Sequence, residues 1–127
     1  MIPDAKIYII EDDSTMIDLL RTLLEMEGFR VFTYDHKSGA SIPKKVASVK
    51  PALILMDVNM QDLDGLEILQ QIKTNLKLAK IKIIMSSGAD YRDLCLRYGA
   101  DEFLLKPYMP DDLIRMIRDV LAEKDIR

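Results

Sequence analysis

The chain has 127 residues, 49% of them apolar and 31% charged, a balance that excludes a disordered segment and a membrane-embedded bundle. Eighteen Lys and Arg against 21 Asp and Glu give a net charge of −3, which argues against nucleic acid as a direct partner. With one cysteine, Cys95, and one histidine, His36, an internal disulfide and a Cys/His metal site are both ruled out.

No apolar run approaches the roughly 20 residues of a membrane span, and Met1 to Lys6 lacks the charged-then-apolar design of a leader. The expectation is a single cytoplasmic domain covering residues 1–127.

Lys6 to Ile10 is a short isoleucine-rich run that reads as a buried strand. From Ser14 to Glu27 the apolar residues Met16, Ile17, Leu19, Leu20, Leu23, Leu24 and Met26 form a helical stripe, with Gly28 at the C′ position. Phe29 to Tyr34 alternates in β-favouring residues. Ser38 to Val49 predicts a helix interrupted by Pro43 and stopped by Pro51.

The most apolar strand candidate, Ala52 to Met56, ends abruptly on Asp57. Leu66, Ile68, Leu69 and Ile72 mark a third helix after Asp64-Gly65, and Ile81 to Ser86 a fourth strand. A short helix near Arg92 to Tyr98 leads to Gly99, and Phe103 to Leu105 forms a fifth strand. Pro110 opens a last helix with Leu113, Ile114, Ile117, Val120 and Leu121 inward.

Alternating β and α elements with continuously apolar strands call for an α/β fold, a doubly wound parallel sheet with helices on both faces. Five strand–helix repeats suit the flavodoxin-like (βα)5 arrangement with strand order 2-1-3-4-5. Its functional crevice lies outside the carboxyl ends of strands 1 and 3. The strand ends carry Glu11-Asp12-Asp13, then Asp57 and Asn59, then Ser86-Ser87-Gly88, then Lys106-Pro107.

Carboxylates gathered at one edge repel one another and call for a cation. Oxygen donors suit Mg²⁺, whereas Zn²⁺ would prefer Cys and His. An ionised Asp57 beside such a metal can act as a nucleophile toward a phosphoryl group, with Lys106 offsetting developing charge. A serine hydroxyl at the fourth strand end could donate to a phosphoryl oxygen. Strand alternation turns Ser86 and Ser87 to opposite faces, so only one of them faces the site.

From Lys6 to Leu121 the chain resembles the receiver domain of two-component response regulators (CheY-like). The resemblance rests on Ile9-Ile-Glu-Asp-Asp13, Leu53-Ile-Leu-Met-Asp57, Asp64-Gly-Leu-Glu67, Ile83-Ile-Met-Ser-Ser-Gly88, Gly99-Ala-Asp101 and Lys106-Pro107. It implies that Glu11 and Asp12 are the acid pair, Asp57 the phosphoacceptor, Asn59 a backbone-carbonyl ligand of Mg²⁺, and Lys106 the site lysine.

Further along, the same resemblance implies that Ser87 is the switch hydroxyl, Phe103 an aromatic that turns inward with it, and Lys106-Pro107 a cis bond. The implied donor is a histidine kinase or phosphotransfer domain. The implied readout is a shift of the helix 4, strand 5 and helix 5 surface toward a downstream output protein or domain, with dimerisation on phosphorylation as a further option. His36, read as a surface residue at the end of strand 2, is not placed to be the donor. Cys95 reads as a packed or half-exposed helix residue.

Three positions depart from the family pattern. Gln61 stands where proline is usual after Met60, which predicts a looser loop. The segment from Ser87 to Gly99 is shorter by about three residues, roughly one helical turn, so helix 4 is expected to be short, displaced or partly unwound. Met109 takes the N-cap of the last helix, a loss of about 1 kcal/mol that Asp111 and Asp112 partly offset.

Two other readings give ground on single residues. An EF-hand loop from Asp57 fails because Asp62 and Ile68 occupy the positions that need Gly and Glu. A dehalogenase-like phosphatase needs a second Asp where Asn59 stands. A degenerate receiver acting as a constitutive docking module keeps every site residue and differs only in switching.

Overall fold

The computed structural model describes residues 4–122. Met1–Pro3, part of the stretch read above for a leader, and Glu123–Arg127 lie outside the described residues.

Five strands, β1 (Lys6–Ile10), β2 (Arg30–Thr33), β3 (Leu53–Asp57), β4 (Lys82–Ser87) and β5 (Glu102–Leu105), form one parallel sheet in the order β2-β1-β3-β4-β5. The helices are α1 (Ser14–Met26), α2 (Ile42–Val49), α3 (Gly65–Lys73), α4 (Arg92–Arg97) and α5 (Pro110–Ala122). The strand order and the doubly wound class are those expected from the alternation of apolar runs and helical stripes.

Every residue of β3 is buried, and successive side chains serve opposite faces. Ile54 and Met56 join Ile83, Met85 and Phe103 on one side, while Leu53 and Leu55 join Leu20, Leu24, Leu104 and Ile117 on the other. Each fully buried Ile or Leu contributes about 1.5–3 kcal/mol by leaving water, so this double-sided burial dominates the stability of the sheet. Among the described residues, no helix is long and apolar enough to cross a membrane.

The second helix differs from the prediction. His36–Ser38 forms a separate 3-10 turn with Asp35 as its cap, and α2 starts only at Ile42. Pro43 lies in the first turn of α2, where its missing N–H has no partner to lose, so it opens the helix instead of interrupting it.

Elsewhere the boundaries agree to within a residue or two. Gly28 adopts φ +93° just past α1, as a C′ glycine should. Met109 caps α5 through its backbone carbonyl, which accepts from Asp112 and Leu113 N–H at 3.0 and 3.2 Å. The short α4 forms as six helical residues.

Candidate functional site

Register places the acid cluster. Ile10 pairs with Met56 and Asp57 with Ser86, so the chain leaves β1, β3 and β4 at one level of the carboxyl edge. Gly65, the first residue of α3, passes directly behind Asp57: a Cβ there would lie 2.2 Å from the Asp57 carbonyl oxygen and 2.8 Å from Val58 Cα. Only a residue without a side chain allows α3 to start so close to the strand end. Asp64 caps α3, its Oδ1 accepting from the N–H groups of Leu66 and Glu67.

Carboxylate oxygens of Glu11, Asp12 and Asp57 lie within 4.8 Å of one another. Glu11 is buried, and its Oε2 accepts from the N–H groups of Asp12 and Asp13 at 3.1 and 3.3 Å. Lys106 donates from Nζ to Glu11 Oε1 at 3.0 Å and stands 3.6 Å from Asp57 Oδ2. Asp12 is exposed and accepts at Oδ2 from the Gln61 N–H at 2.7 Å. Asp13 turns away to cap α1, accepting from Thr15 and Met16 N–H.

Burial raises the Asp57 carboxyl above its ordinary 3.8, and the Glu11 charge raises it further, partly offset by Lys106 and the Asn59 N–H. Burial lowers the Lys106 ammonium, but its bonds and attraction to Glu11 and Asp57 outweigh that and leave it raised. Tyr108, near the end of β5, is pushed up to about 12 by burial and by the field of Glu11 and Asp57. Three carboxylates against one ammonium leave the pocket short of positive charge. An all-oxygen donor set of this kind fits Mg²⁺.

At the β4 end, Ser87 is fully buried and its Oγ accepts from Asn59 Nδ2 at 3.2 Å and from the Ala89 N–H at 3.1 Å. Ser86 faces the opposite side of the sheet, and its carbonyl accepts from the Val58 N–H. Phe103 lies inward, 1% exposed, with the Arg92 guanidinium 5.8 Å from its ring centroid. The Lys106-Pro107 bond is cis. Cys95 is fully buried, and burial pushes its thiol up to about 11, the behaviour of an inert core cysteine.

His36 departs from the surface position expected of it. Its side chain is only 19% exposed, Nε2 donates to the Glu11 carbonyl at 2.8 Å, and Nδ1 lies 3.2 Å from Asp62 Oδ1. The signal for this was absent from the sequence, because a cross-loop side-chain bond leaves no periodic trace. The loop carrying Gln61 is tied to Asp12 and not free, contrary to the looseness expected from the missing proline.

A parallel sheet of order 2-1-3-4-5 with the acid pocket at its switch point has the CheY-like flavodoxin fold. The profile of the response regulator receiver domain matches residues 7–118, and the chain belongs to that family. A CpxR homolog from Haemophilus influenzae, a transcriptional regulatory protein, is 38% identical over 120 residues, covering 92% of this chain and 50% of its own. PhoP of Bacillus subtilis, the regulatory protein of alkaline phosphatase synthesis, is 29% identical over 124 residues, covering 97% of this chain and 51% of its own.

Among solved structures, the receiver domain of a DNA-binding response regulator from Colwellia psychrerythraea superposes with a TM-score of 0.82 at 27% identity. That match covers 94% of this chain and all of that one, 100%. The chain spans about half the length of the curated relatives it matches.

Proposed function

We propose that this receiver accepts a phosphoryl group on Asp57 from a phosphohistidine of a histidine kinase or phosphotransfer domain. The observation that carries the reading is the convergence of Glu11, Asp12 and Asp57 within 4.8 Å, with Lys106 as the cation beside them. An Asp57 carboxylate oxygen attacks phosphorus, the donor P–N bond breaks, and the imidazole leaves with the bond's electron pair.

Lys106 meets the charge developing on the phosphoryl oxygens. Glu11 keeps Lys106 in place through the 3.0 Å bond. Mg²⁺, held by Asp12, Asp57 and the Asn59 carbonyl with Glu11 behind them, would supply electrostatic stabilisation to the same oxygens. Ser87, once released from Asn59 Nδ2, is the hydroxyl available at the end of β4.

Beside the pocket, Met16, Leu19, Leu20, Leu23, Pro107 and Tyr108 line an apolar groove of about 420 Å³. A donor domain seated there would bring its phosphoryl group past Lys106 to Asp57. Longer relatives named as transcriptional regulators support an output delivered through a further domain or protein, with residues 1–127 acting as the receiving unit.

A second reading, a receiver that docks constitutively, is favoured by one observation: α4, on the surface that would transmit the change, is only six residues long and lacks a side-chain cap. The two separate in one experiment. Incubation with a small-molecule phosphodonor and Mg²⁺ is expected to give a hydroxylamine-labile phosphate that is lost in Asp57→Asn, together with amide shifts around Phe103 and α4. No adduct sinks the phosphoacceptor reading; an adduct with a still amide spectrum favours the docking module.

A further inference from the structure

Two links reach the acid pair from outside the strands that carry it. His36, in the turn after β2, donates from Nε2 to the backbone carbonyl of Glu11 at 2.8 Å, an oxygen that can only accept. The other nitrogen of the ring, Nδ1, meets Asp62 Oδ1 at 3.2 Å in the loop between β3 and α3, an acceptor to which Nδ1 donates when it too carries a proton. Tyr34 fixes the ring edge-to-face, centroids 5.1 Å apart and planes at 73°.

Next to Asp62, Gln61 donates its N–H to Asp12 Oδ2 at 2.7 Å. Proline, usual at that position in the pattern the chain resembles, has no N–H to give. The loop is thus fastened to the acid pair twice, once through an imidazole and once through a backbone donor.

We propose that His36 is a positioning residue for the cation pocket: by bridging Glu11 to Asp62 it keeps the β3–α3 loop closed, which holds the Gln61 N–H on Asp12. This rests on the reading of Glu11, Asp12 and Asp57 as a Mg²⁺ site. An Asp12 carboxylate that accepts one N–H keeps lone pairs free for a cation. Fixing its rotamer beforehand removes an ordering cost that binding would otherwise carry. Partners that orient metal ligands are commonly worth about 10–100-fold in metal affinity.

Mg²⁺ titration of the full chain, followed by the amide signals of Asp12 and Gln61, tests this. His36→Asn leaves an amide near the Nδ1 position and removes the donor to Glu11; its Mg²⁺ dissociation constant is expected to rise about tenfold. The Gln61 amide should then exchange faster with solvent while the thermal midpoint stays near that of the unaltered protein. His36→Gln, whose amide nitrogen reaches as far as Nε2, keeps the Glu11 bond and gives up the Asp62 contact, so it is expected to weaken Mg²⁺ only about threefold.

Asp62→Asn, a milder change in an exposed residue, should weaken Mg²⁺ about threefold and guards against a folding defect at position 36. Unchanged Mg²⁺ affinity in both His36→Asn and Asp62→Asn overturns the positioning role and leaves the phosphoacceptor reading standing. Full recovery of Mg²⁺ affinity in His36→Gln also overturns it, because the link to Asp62 would then be irrelevant. If the unaltered protein binds no Mg²⁺, the pocket reading itself fails, and this proposal with it.

Discussion

The two ends of the carboxyl edge are built on different principles. At the β1–β3 end, backbone register on both sides of β3 and the approach of Gly65 position Asp57, and the charged side chains interlock around it. At the β4–β5 end, α4 has six residues, its N-cap Tyr91 makes no side-chain cap bond, and Cys95 is its buried residue. Arg92 adds a bond from its guanidinium to the Phe103 carbonyl at 3.2 Å. Where the backbone sets a position, chemistry is insulated from drift; where side chains set it, a surface can change with few bonds broken.

The sharpest way to break that contrast is at the backbone approach. Gly65→Ala forces a methyl group into the Asp57 carbonyl and Val58, with no flexible side chain to yield. Destabilisation of about 3 kcal/mol is expected, with α3 displaced and phosphoryl uptake lost. Chemical denaturation checks the first and the hydroxylamine-labile adduct the second. A change below about 1 kcal/mol would mean that register alone does not set the Asp57 position.

The matching probe of the other end is smaller. Cys95→Ser places a hydroxyl in the fully buried seat of α4 and is expected to destabilise by about 2 kcal/mol. Phosphoryl uptake at Asp57 should stay within about twofold, since distant, unshared sites add independently. A parallel loss of uptake would show that the two ends are coupled more tightly than their contacts suggest.

The sequence shows these two ends unequally as well. Strands and helices could be read because β1 and β3 are unbroken apolar runs and α1 repeats its apolar residues at helical spacing through Leu20 and Leu24. The doubly wound topology that this alternation implies brings Glu11, Asp12, Asp57 and Lys106 to one edge. Pro43 misled, since a proline inside a polar stretch reads equally as an interruption or as a first turn, and the separate cap at Asp35 was hidden by its short spacing.

Asp64-Gly65 could be read as a helix start, but not as a contact with the back of Asp57, which is a distance across the fold. His36 and the Gln61 N–H were invisible for the same reason. A bond spanning 25 residues, or a backbone donor known only as a non-proline, has no local pattern.

The smallest effect tests the electrostatic half of the contrast. Asp57 is held above its ordinary 3.8 first by burial and then by Glu11, and Lys106 and the Asn59 N–H only partly offset this. The folded protein therefore binds this proton more tightly than the unfolded chain does. Its contribution to stability is fully present below 3.8 and is lost as pH rises through the folded-state value.

At pH near 7 the charged Asp57 consequently opposes folding, so Asp57→Asn should stabilise the Mg²⁺-free protein by about 1 kcal/mol, or roughly 4 °C in thermal midpoint. The gain should shrink as the pH is lowered toward 4 and again when Mg²⁺ is added to both proteins. Cys95→Ser, by contrast, should lose stability at every pH, because packing and not charge holds that end. A destabilised Asp57→Asn would show that the acid pocket is already balanced by Lys106, and a gain that ignores pH would show that the Asp57 charge is not its source.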